Sequence, residues 1–331
     1  MRFIKYGVIL LAAASAVGLL LTPLLPRPQR QCDLCFLAGK GPIRCGAVLS
    51  KVNVVALSCG VRSDHFGQVG QICLVDFASG QATQWITGPN LGIISAFGVT
   101  SDEETIVAGD DNGKIWRWDR HPSGEFRLIR AVPGGRSIDS LALSRANRSF
   151  AISRYNEAYV GSIDDAGGLS SLTKHKGRIG SLAFSPDGKL IASGDANGSV
   201  NLTQVATGAS VATWPLHQRA IAGLVFSPDG ATLATAGGDG FVKLINVPMG
   251  GVRHSLSMSR PVYSIAFSPD GKRIASGGDE IVIWDVSTGT PMLHFNGHSD
   301  LVTWLGFSPD GIKLISGSLD GCAKVWDLAT P

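Results

Sequence analysis

Short apolar stretches alternate with polar, turn-forming segments along most of this chain, and the alternation repeats. Its clearest marker is the segment Phe-Ser-Pro-Asp-Gly, whose copies begin at Phe184, Phe226, Phe267 and Phe307, with spacings of 42, 41 and 40 residues. After each copy comes an apolar run, such as residues 190–192, then a glycine-rich turn and a second apolar run. A strand–turn–strand unit repeated about every 40 residues is typical of the blades of a β-propeller. The pattern therefore predicts one small antiparallel sheet per repeat.

The repeat continues towards the N-terminus, where its copies are weaker. Each weaker copy keeps two apolar runs separated by a polar turn: residues 54–57 and 72–76, residues 106–109 and 115–119, and residues 141–143 and 150–152. Three weak copies and four clear copies make seven blades. The sequence therefore predicts an all-β, seven-bladed β-propeller over residues 31–331, which uses nearly all of the chain after residue 30.

The last two repeats carry additional markers. Both end in a Trp-Asp dipeptide, at residues 284–285 and 326–327, and the seventh opens with Gly297 and His298. Together with the period, these residues resemble the WD-repeat β-propeller family. In that family a histidine, a serine or threonine, an aspartate and a tryptophan form a buried hydrogen-bond set within a blade. The resemblance implies this structural role for four residues of the last blade: His298, Ser316, Asp320 and Trp326.

Two earlier repeats match this set only in part. His175 and His217 stand at the position of His298, but Thr203 and Ile245 replace the tryptophan. We expect these histidines to be structural rather than catalytic, and the sequence predicts no catalytic residue.

The seventh repeat contains only three of the four strands that a blade needs. The apolar segment at residues 34–37 aligns with residues 292–295, the fourth strand of the preceding blade. We expect residues 34–37 to complete the seventh blade and close the ring, because an unpaired edge would expose a row of backbone donors and acceptors.

The N-terminus carries a second strong signal. Arg2 and Lys5 precede an uncharged apolar run over residues 6–25, which is followed by Pro26. About 20 apolar residues span a membrane as a helix, whereas the apolar part of a cleaved signal peptide has about 7–15. The sequence therefore predicts an uncleaved signal-anchor, a single transmembrane helix within residues 1–30. The alternative is cleavage after the small residues 14–16, which would release a secreted protein.

Charge around the apolar run favours one orientation. Arg2 and Lys5 lie before it, and Arg27 and Arg30 lie after it. Positive charge is retained on the cytoplasmic side. The two basic residues before the run are matched by two after it, and the terminal amine adds a further positive charge before it. This slightly favours a propeller on the extracytoplasmic side, the periplasm in a bacterium. Residues 25–32 can reach about 23 Å at roughly 3.3 Å per residue, which would hold the propeller against the membrane.

Overall charge gives no indication of a nucleic-acid partner. The formal net charge is +3, and 17% of the residues are charged. This fraction is below the roughly 25% usual in soluble domains, so bulk charge does not favour nucleic-acid binding.

All six cysteines fall in the first blade or in the blade that residues 34–37 would close. The cysteines are Cys32, Cys35, Cys45, Cys59, Cys73 and Cys322. Two interpretations stay open: small apolar residues on strands, or disulfides that staple the closure in an oxidising compartment. Connectivity cannot be deduced from sequence. Cys32 and Cys35 form a Cys-x-x-Cys segment, but the histidine that would follow it in a haem-attachment motif is absent. The chain also has no second Cys-x-x-Cys to complete a zinc site. No cofactor or metal is therefore predicted.

Four arginines occur at similar places in neighbouring repeats. Arg136, Arg219 and Arg260 lie seven residues before the repeat phenylalanine or its equivalent, and Arg178 is offset by one. In the propeller family this segment lies on a rim of the central channel. Arginine suits bidentate capture of carboxylate or phosphate, so we expect an anion-binding rim for an acidic peptide, a phosphorylated loop or a lipid head group. The alternative is four solvated loop arginines.

Three functions are compatible with these features. The leading interpretation is a non-enzymatic protein-interaction scaffold tethered to a membrane, where it could serve a membrane complex or its assembly. A secreted ligand sensor is the alternative that N-terminal cleavage would favour. A propeller enzyme would need acidic or histidine side chains at channel-lining positions of several blades, where this chain places arginines.

Overall fold

Each Ser-Pro-Asp-Gly segment folds as a tight turn that its own side chains close. In the first copy Ser185 Oγ donates to Asp187 Oδ1 at 2.6 Å and accepts from the Leu190 amide at 2.9 Å. Gly188 has a φ of +69°, a left-handed conformation that glycine adopts without a Cβ clash. The other three copies repeat the serine–aspartate bond. Local chemistry therefore ends one strand and starts the next at the same place in each repeat.

The computed structural model describes residues 34–37 and 41–329, except 52, 64–66, 77–78, 133–134 and 166–167. The described residues form 28 strands. In chain order these are β1 (Leu34–Leu37), β2 (Gly46–Leu49), β3 (Val54–Ser63), β4 (Gly67–Asp76), β5 (Ala82–Ile86), β6 (Ile94–Val99), β7 (Thr105–Asp110), β8 (Ile115–Arg120), β9 (Phe126–Val132), β10 (Ser140–Leu143), β11 (Ser149–Arg154), β12 (Glu157–Ser162), β13 (Ser170–Lys174), β14 (Ile179–Phe184), β15 (Leu190–Asp195), β16 (Ser199–Gln204), β17 (Ser210–Pro215), β18 (Ile221–Phe226), β19 (Thr232–Gly237), β20 (Phe241–Asn246), β21 (Val252–Ser257), β22 (Ser264–Phe267), β23 (Arg273–Gly277), β24 (Ile281–Asp285), β25 (Pro291–Phe295), β26 (Val302–Phe307), β27 (Lys313–Ser318) and β28 (Cys322–Asp327).

These strands form seven four-stranded antiparallel sheets, the blades of a propeller. The first is β2–β5, and the next five blades each take the following four strands in chain order. The inner strands of neighbouring blades contact each other around the ring, and β2 contacts β26. The predicted all-β, seven-bladed propeller is confirmed.

The seventh blade takes its strands from two separate parts of the chain. It contains β26, β27 and β28, and β1 lies antiparallel to β28 at its outer edge, with Leu34 opposite Val325 and Leu37 opposite Cys322.

The antiparallel order of strands places the connections alternately on two faces of the ring. The turns between first and second strands, which include the four Ser-Pro-Asp-Gly turns, lie on one face, called here the Ser-Pro-Asp-Gly face. The segments that lead from one blade into the next lie on the opposite face, called here the arginine face because they carry Arg136, Arg178, Arg219 and Arg260. Since β1 runs antiparallel to β28, it begins on the Ser-Pro-Asp-Gly face.

The apolar core lies between blades, and the seam between the last and first blades is tightly packed. The Trp304 indole lies against Gly46 and Gly306, where an added Cβ would come within 2.6 Å and 2.7 Å of indole atoms. The Ile43 amide donates to the Ser318 carbonyl oxygen at 3.0 Å. Glycine is therefore required on both sides of this tryptophan, whose packing role matches its place on β26.

One hairpin is longer than the rest. β3 and β4 have ten residues each, whereas the equivalent β7 and β8 have six. The extra residues lie at the turn between the two strands, so this hairpin projects from the arginine face of the first blade.

The described residues contain no helix with the length and apolar character needed to cross a bilayer. The transmembrane helix predicted within residues 1–30 lies outside the described residues.

One threonine and one serine mark positions where the repeats depart from their common sequence pattern. Thr203 stands where the last blade has Trp326, and its buried Oγ1 has no hydrogen-bond partner among the described residues. Ser144 begins the equivalent of a Ser-Pro-Asp-Gly turn, but Ala146 replaces the aspartate, and Ser144 Oγ likewise lacks a partner within the described part of the chain.

Replacing Thr203 by valine should stabilise the protein. The change removes a buried hydroxyl without a partner while keeping the shape of the side chain, so we expect a gain of about 1 kcal/mol in the free energy of unfolding. The matched control is Thr235→Val in the next blade, where Oγ1 bonds His217 Nε2 at 2.7 Å. That control should lose about 1–3 kcal/mol, because it leaves a buried ring nitrogen unpaired. Urea unfolding of both variants measures the two changes in the free energy of unfolding. Equal losses of stability would contradict an unpaired hydroxyl at Thr203.

Candidate binding face and the hydrogen-bond sets that shape it

The four residues singled out in the last blade are joined by hydrogen bonds. His298 Nδ1 lies 2.8 Å from Asp320 Oδ2, and His298 Nε2 lies 2.7 Å from Ser316 Oγ. Trp326 Nε1 donates to the same Ser316 Oγ at 2.8 Å. Asp320 also accepts from the amide of Ser299 at 3.0 Å. The set therefore ties the segment that enters the blade to the turn between β27 and β28, on the arginine face.

Two other blades keep the histidine part of this set. His217 lies 2.8 Å from Asp239 and 2.7 Å from Thr235. His175 lies 2.7 Å from Ser193 Oγ and 3.3 Å from Asp195. In both blades the histidine is buried and anchors the segment before the inner strand.

Sequence reasoning missed two related sets. In the second blade Trp116 Nε1 donates to the buried Asp110 at 2.8 Å. In the sixth blade Trp284 Nε1 donates to Ser276 Oγ at 2.8 Å, and that hydroxyl donates to the sulfur of Met258 at 3.0 Å. Met258 lies nine residues before Phe267, the spacing that locates the histidines, so aligning the repeats on their phenylalanines would have found it.

Burial controls the charge of these histidines. It lowers the pKa of His298, and the nearby carboxylate of Asp320 offsets this only in part. His175 and His217 behave in the same way. For Asp320, burial alone would raise the pKa, but the amides of Cys322 and Ser299 together with His298 outweigh it and hold the pKa below its usual value. Each set is therefore a neutral imidazole beside a carboxylate, which is suited to holding loops.

The four arginines lie on the arginine face, but two of them have acidic partners. Arg178 donates to both carboxylate oxygens of Asp139, through Nε at 2.9 Å and Nη2 at 2.6 Å. Arg260 lies 2.9 Å from Asp279. Both guanidinium groups remain largely exposed, with relative side-chain exposures of 59% and 75%. These two arginines are oriented by aspartates rather than isolated in solvent.

Arg136 and Arg219 are exposed, and no acidic group of the described residues lies within 4 Å of either guanidinium. An exposed aromatic ring, Tyr155, lies on the same face, and its amide donates to Asp139 at 2.9 Å. The Glu157 carboxylate, whose pKa is held down by Tyr159, Lys174 and Arg136, lies on this face as well. Blades three to five therefore present guanidinium groups without a direct ion pair, next to an aromatic side chain.

A polar cavity of about 380 Å³ opens where the sixth blade begins. Its lining includes Met258, Arg260, Asp279, Glu280 and Asn296. Glu280 accepts from His294 Nδ1 at 3.3 Å. The cavity holds both signs of charge, so it extends the polar character of the arginine face.

The cysteines fall into two groups. Cys45, Cys59 and Cys73 carry free thiols. Cys322 lies on β28 opposite Leu37 of β1, and the side chains of Cys32 and Cys35 lie outside the described residues. Within the described ranges no three His, Cys, Asp or Glu side chains are placed to hold a metal ion.

Comparison with protein-family models identifies the repeats. Residues 208–246, 251–285 and 289–327 match the "WD domain, G-beta repeat" family, and residues 136–222 match the "Anaphase-promoting complex subunit 4 WD40 domain". The chain therefore contains WD40 repeats.

Curated relatives match over short stretches. "WD repeat and SOCS box-containing protein 1" of Takifugu rubripes is 51% identical over 49 residues, which is 14% of this chain and 12% of the relative. "Protein LST8 homolog" of Dictyostelium discoideum is 36% identical over 58 residues, 17% of this chain and 19% of the relative. "Target of rapamycin complex subunit wat1" of Schizosaccharomyces pombe is 38% identical over 58 residues, 17% and 18% of the two chains. The chain thus matches less than a fifth of each relative's length.

Stability should fall as the pH drops below about 6.5, the ordinary pKa of histidine. The unfolded chain then takes up protons that the buried histidines, with their lowered native pKa values, do not. The stability is therefore complete above pH 6.5 and is lost as the pH falls towards the native pKa, by up to about 1.4 kcal/mol per pH unit for each histidine.

Urea unfolding between pH 8 and pH 5 measures this slope. His298→Gln should make it shallower, whereas replacement of the exposed His121 by glutamine should leave it unchanged. An unaltered slope in His298→Gln would contradict a neutral, buried imidazole at this position.

Proposed function

We propose that this seven-bladed propeller with WD40 repeats is a non-enzymatic protein-interaction scaffold, tethered to a membrane by its N-terminal segment. The observation that carries the proposal is a set of loops held by buried polar side chains, which present charged groups on one face. Two relatives support a role in assemblies: the wat1 protein is named as a subunit of the target of rapamycin complex, and the first matched relative is named for a SOCS box beside its WD repeats.

The arginine face is the proposed binding surface. Arg136 and Arg219 supply exposed positive charge without a direct ion pair among the described residues, while Asp139 holds the Arg178 guanidinium in an exposed position. Planar guanidinium groups fixed in this way suit carboxylate or phosphate groups of a partner. The proposed partner is a protein with an acidic or phosphorylated segment.

In this proposal the N-terminal tether and the arginine face lie on opposite sides of the ring. The basis is that β1 begins on the Ser-Pro-Asp-Gly face. In the proposed arrangement β1 completes the seventh blade, the Ser-Pro-Asp-Gly face lies towards the membrane, and the arginine face points into the extracytoplasmic space. A partner then approaches from the side away from the bilayer.

Charge reversal at the two arginines without a direct ion pair tests the binding surface. We expect the double variant Arg136→Glu and Arg219→Glu to lose its partner, with affinity reduced roughly tenfold or more by like-charge contact with acidic groups. The measurement is a crosslinked pull-down of the full-length, detergent-solubilised protein with quantitative mass spectrometry, followed by titration of the recovered partner at two salt concentrations. Circular dichroism confirms the fold.

The matched control reverses Arg127 and Arg253, exposed residues on the outer strands β9 and β21. It carries the same change in net charge away from the arginine face and should bind like the wild type. If both variants retain the partner, the arginines of the arginine face are only solvated loop residues and the partner binds elsewhere.

Carbonate extraction tests the tether. The full-length protein expressed in a bacterial host should stay with the membranes at high pH, because about 20 apolar residues insert as a helix, and the chain lacking residues 1–30 should be released. Mass spectrometry of the mature N-terminus is the second readout. A chain that begins after residue 16 would replace the tethered scaffold by a secreted ligand sensor.

A further inference from the structure

Two buried cysteines of the first blade share a location that no step of the proposed function uses. Cys59 on β3 is 3% exposed and Cys73 on β4 is fully buried. Both belong to the apolar cluster that packs the first blade against the seventh, together with Val325. The pair therefore lies at the seam of the ring and at the base of the projecting β3–β4 hairpin.

The register of the hairpin places both side chains on one face. Leu57 lies opposite Cys73, and Cys59 lies opposite Gln71. Side chains two residues apart on a strand share a face, so the cysteines are diagonal neighbours on adjacent strands.

The second blade shows that side chains at these two positions reach each other. Val54 lies opposite Asp76 in the first blade, and Thr105 lies opposite Asp119 in the second. Counting from these pairs, Cys59 corresponds to Asp110 and Cys73 to Trp116. The Asp110 and Trp116 side chains are joined by a hydrogen bond of 2.8 Å. In the first blade the same two positions are occupied by thiols.

Each of the two thiols shifts the pKa of the other. The hydrogen bond with Cys73, followed by burial, raises the pKa of Cys59, and acceptance of that bond lowers the pKa of Cys73. Cys73 is therefore the first of the two to become a thiolate, the form that attacks a disulfide.

We propose that Cys59 and Cys73 form a reversible disulfide across the β3–β4 hairpin. The oxidant is a small-molecule disulfide. Because both cysteines are buried, the reaction requires local opening of the blade at this seam. In the opened state the Cys73 thiolate attacks one sulfur of the small disulfide and expels one small thiol. Cys59 then loses its proton to solvent, attacks the mixed disulfide, expels the second thiol and forms the S–S bond. Two protein thiols and one small disulfide become one protein disulfide and two small thiols.

Geometry makes this bond reducible rather than permanent. Diagonal neighbours have Cα atoms about 7–8 Å apart, whereas disulfides usually need about 4.4–6.8 Å. The strands must therefore approach each other by roughly 2 Å, the difference between the middles of these two ranges, at the point where the hairpin leaves the blade. Strained disulfides are the labile and regulatory ones. The bond would fix the base of the hairpin that projects from the arginine face.

Peptide mapping tests the pairing directly. Full-length protein is equilibrated in mixtures of reduced and oxidised glutathione, its remaining thiols are alkylated, and it is unfolded and digested with trypsin. Cleavage after Lys51, Arg62 and Lys114 separates the two cysteines into peptides 52–62 and 63–114, each with one cysteine. We expect a disulfide-linked pair of these peptides to appear as the mixture becomes more oxidising, and to disappear with dithiothreitol.

Thermal unfolding gives an independent readout. A bond that closes a loop of 13 residues (60–72) restricts the unfolded chain, so the oxidised wild type should melt at a higher temperature than the reduced protein. Cys59→Ala and Cys73→Ala should remove the difference, and Cys45→Ala should keep it. The alanine variants' circular dichroism establishes that they fold.

Two outcomes overturn the inference. One is the absence of the linked pair at every glutathione ratio. The other is a linked pair of peptides 45–51 and 52–62, which would place the bond between Cys45 and Cys59.

Discussion

A propeller must pack its last blade against its first, and this requirement governs the rest of the structure. The seam meets it with Trp304, which fills the space between Gly46 and Gly306, where a Cβ on either side would overlap the indole. The Ile43 amide adds a hydrogen bond to Ser318 across the same seam. Because each blade buries both of its faces against neighbours, the two rims of the ring are the surfaces left for the loops.

The loops on the arginine face are held by buried polar contacts whose chemistry varies from blade to blade. His298 with Asp320 does this in the seventh blade, Trp116 with Asp110 in the second, and a hydroxyl–sulfur contact to Met258 in the sixth. A buried polar group costs stability unless it is paired. Where a blade has a different polar side chain at this place, a hydrogen-bond partner for that side chain is therefore needed as well. Among the described residues, Thr203 is one position whose buried hydroxyl has no partner.

Sequence predicts the parts of this molecule that depend on neighbours along the chain. The turn beginning at Ser185 is closed by the Asp187 side chain and the Leu190 amide, two and five residues away, so its repeats locate the strands. Contacts between blades depend on register and were not predictable in the same way. Arg178 pairs with Asp139, 39 residues earlier, and the contact of Cys59 with Cys73 requires the register of a hairpin of unusual length. The alignment of four arginines was visible in sequence, but their division into arginines with and without a direct ion pair was not.

This division changes how the arginine face would recognise an anion. Ion pairs between exposed groups contribute only about 0–1 kcal/mol to stability, so an incoming carboxylate or phosphate can share Arg178 with Asp139 at little cost. The aspartate fixes the direction of the guanidinium before binding, which reduces the entropy lost on ordering a long side chain. In the proposed complex Arg136 and Arg219, which have no direct ion pair among the described residues, would supply the long-range attraction. Arg178 and Arg260 would fix the orientation of the bound anion, and a partner that uses both kinds of arginine would have to span neighbouring blades.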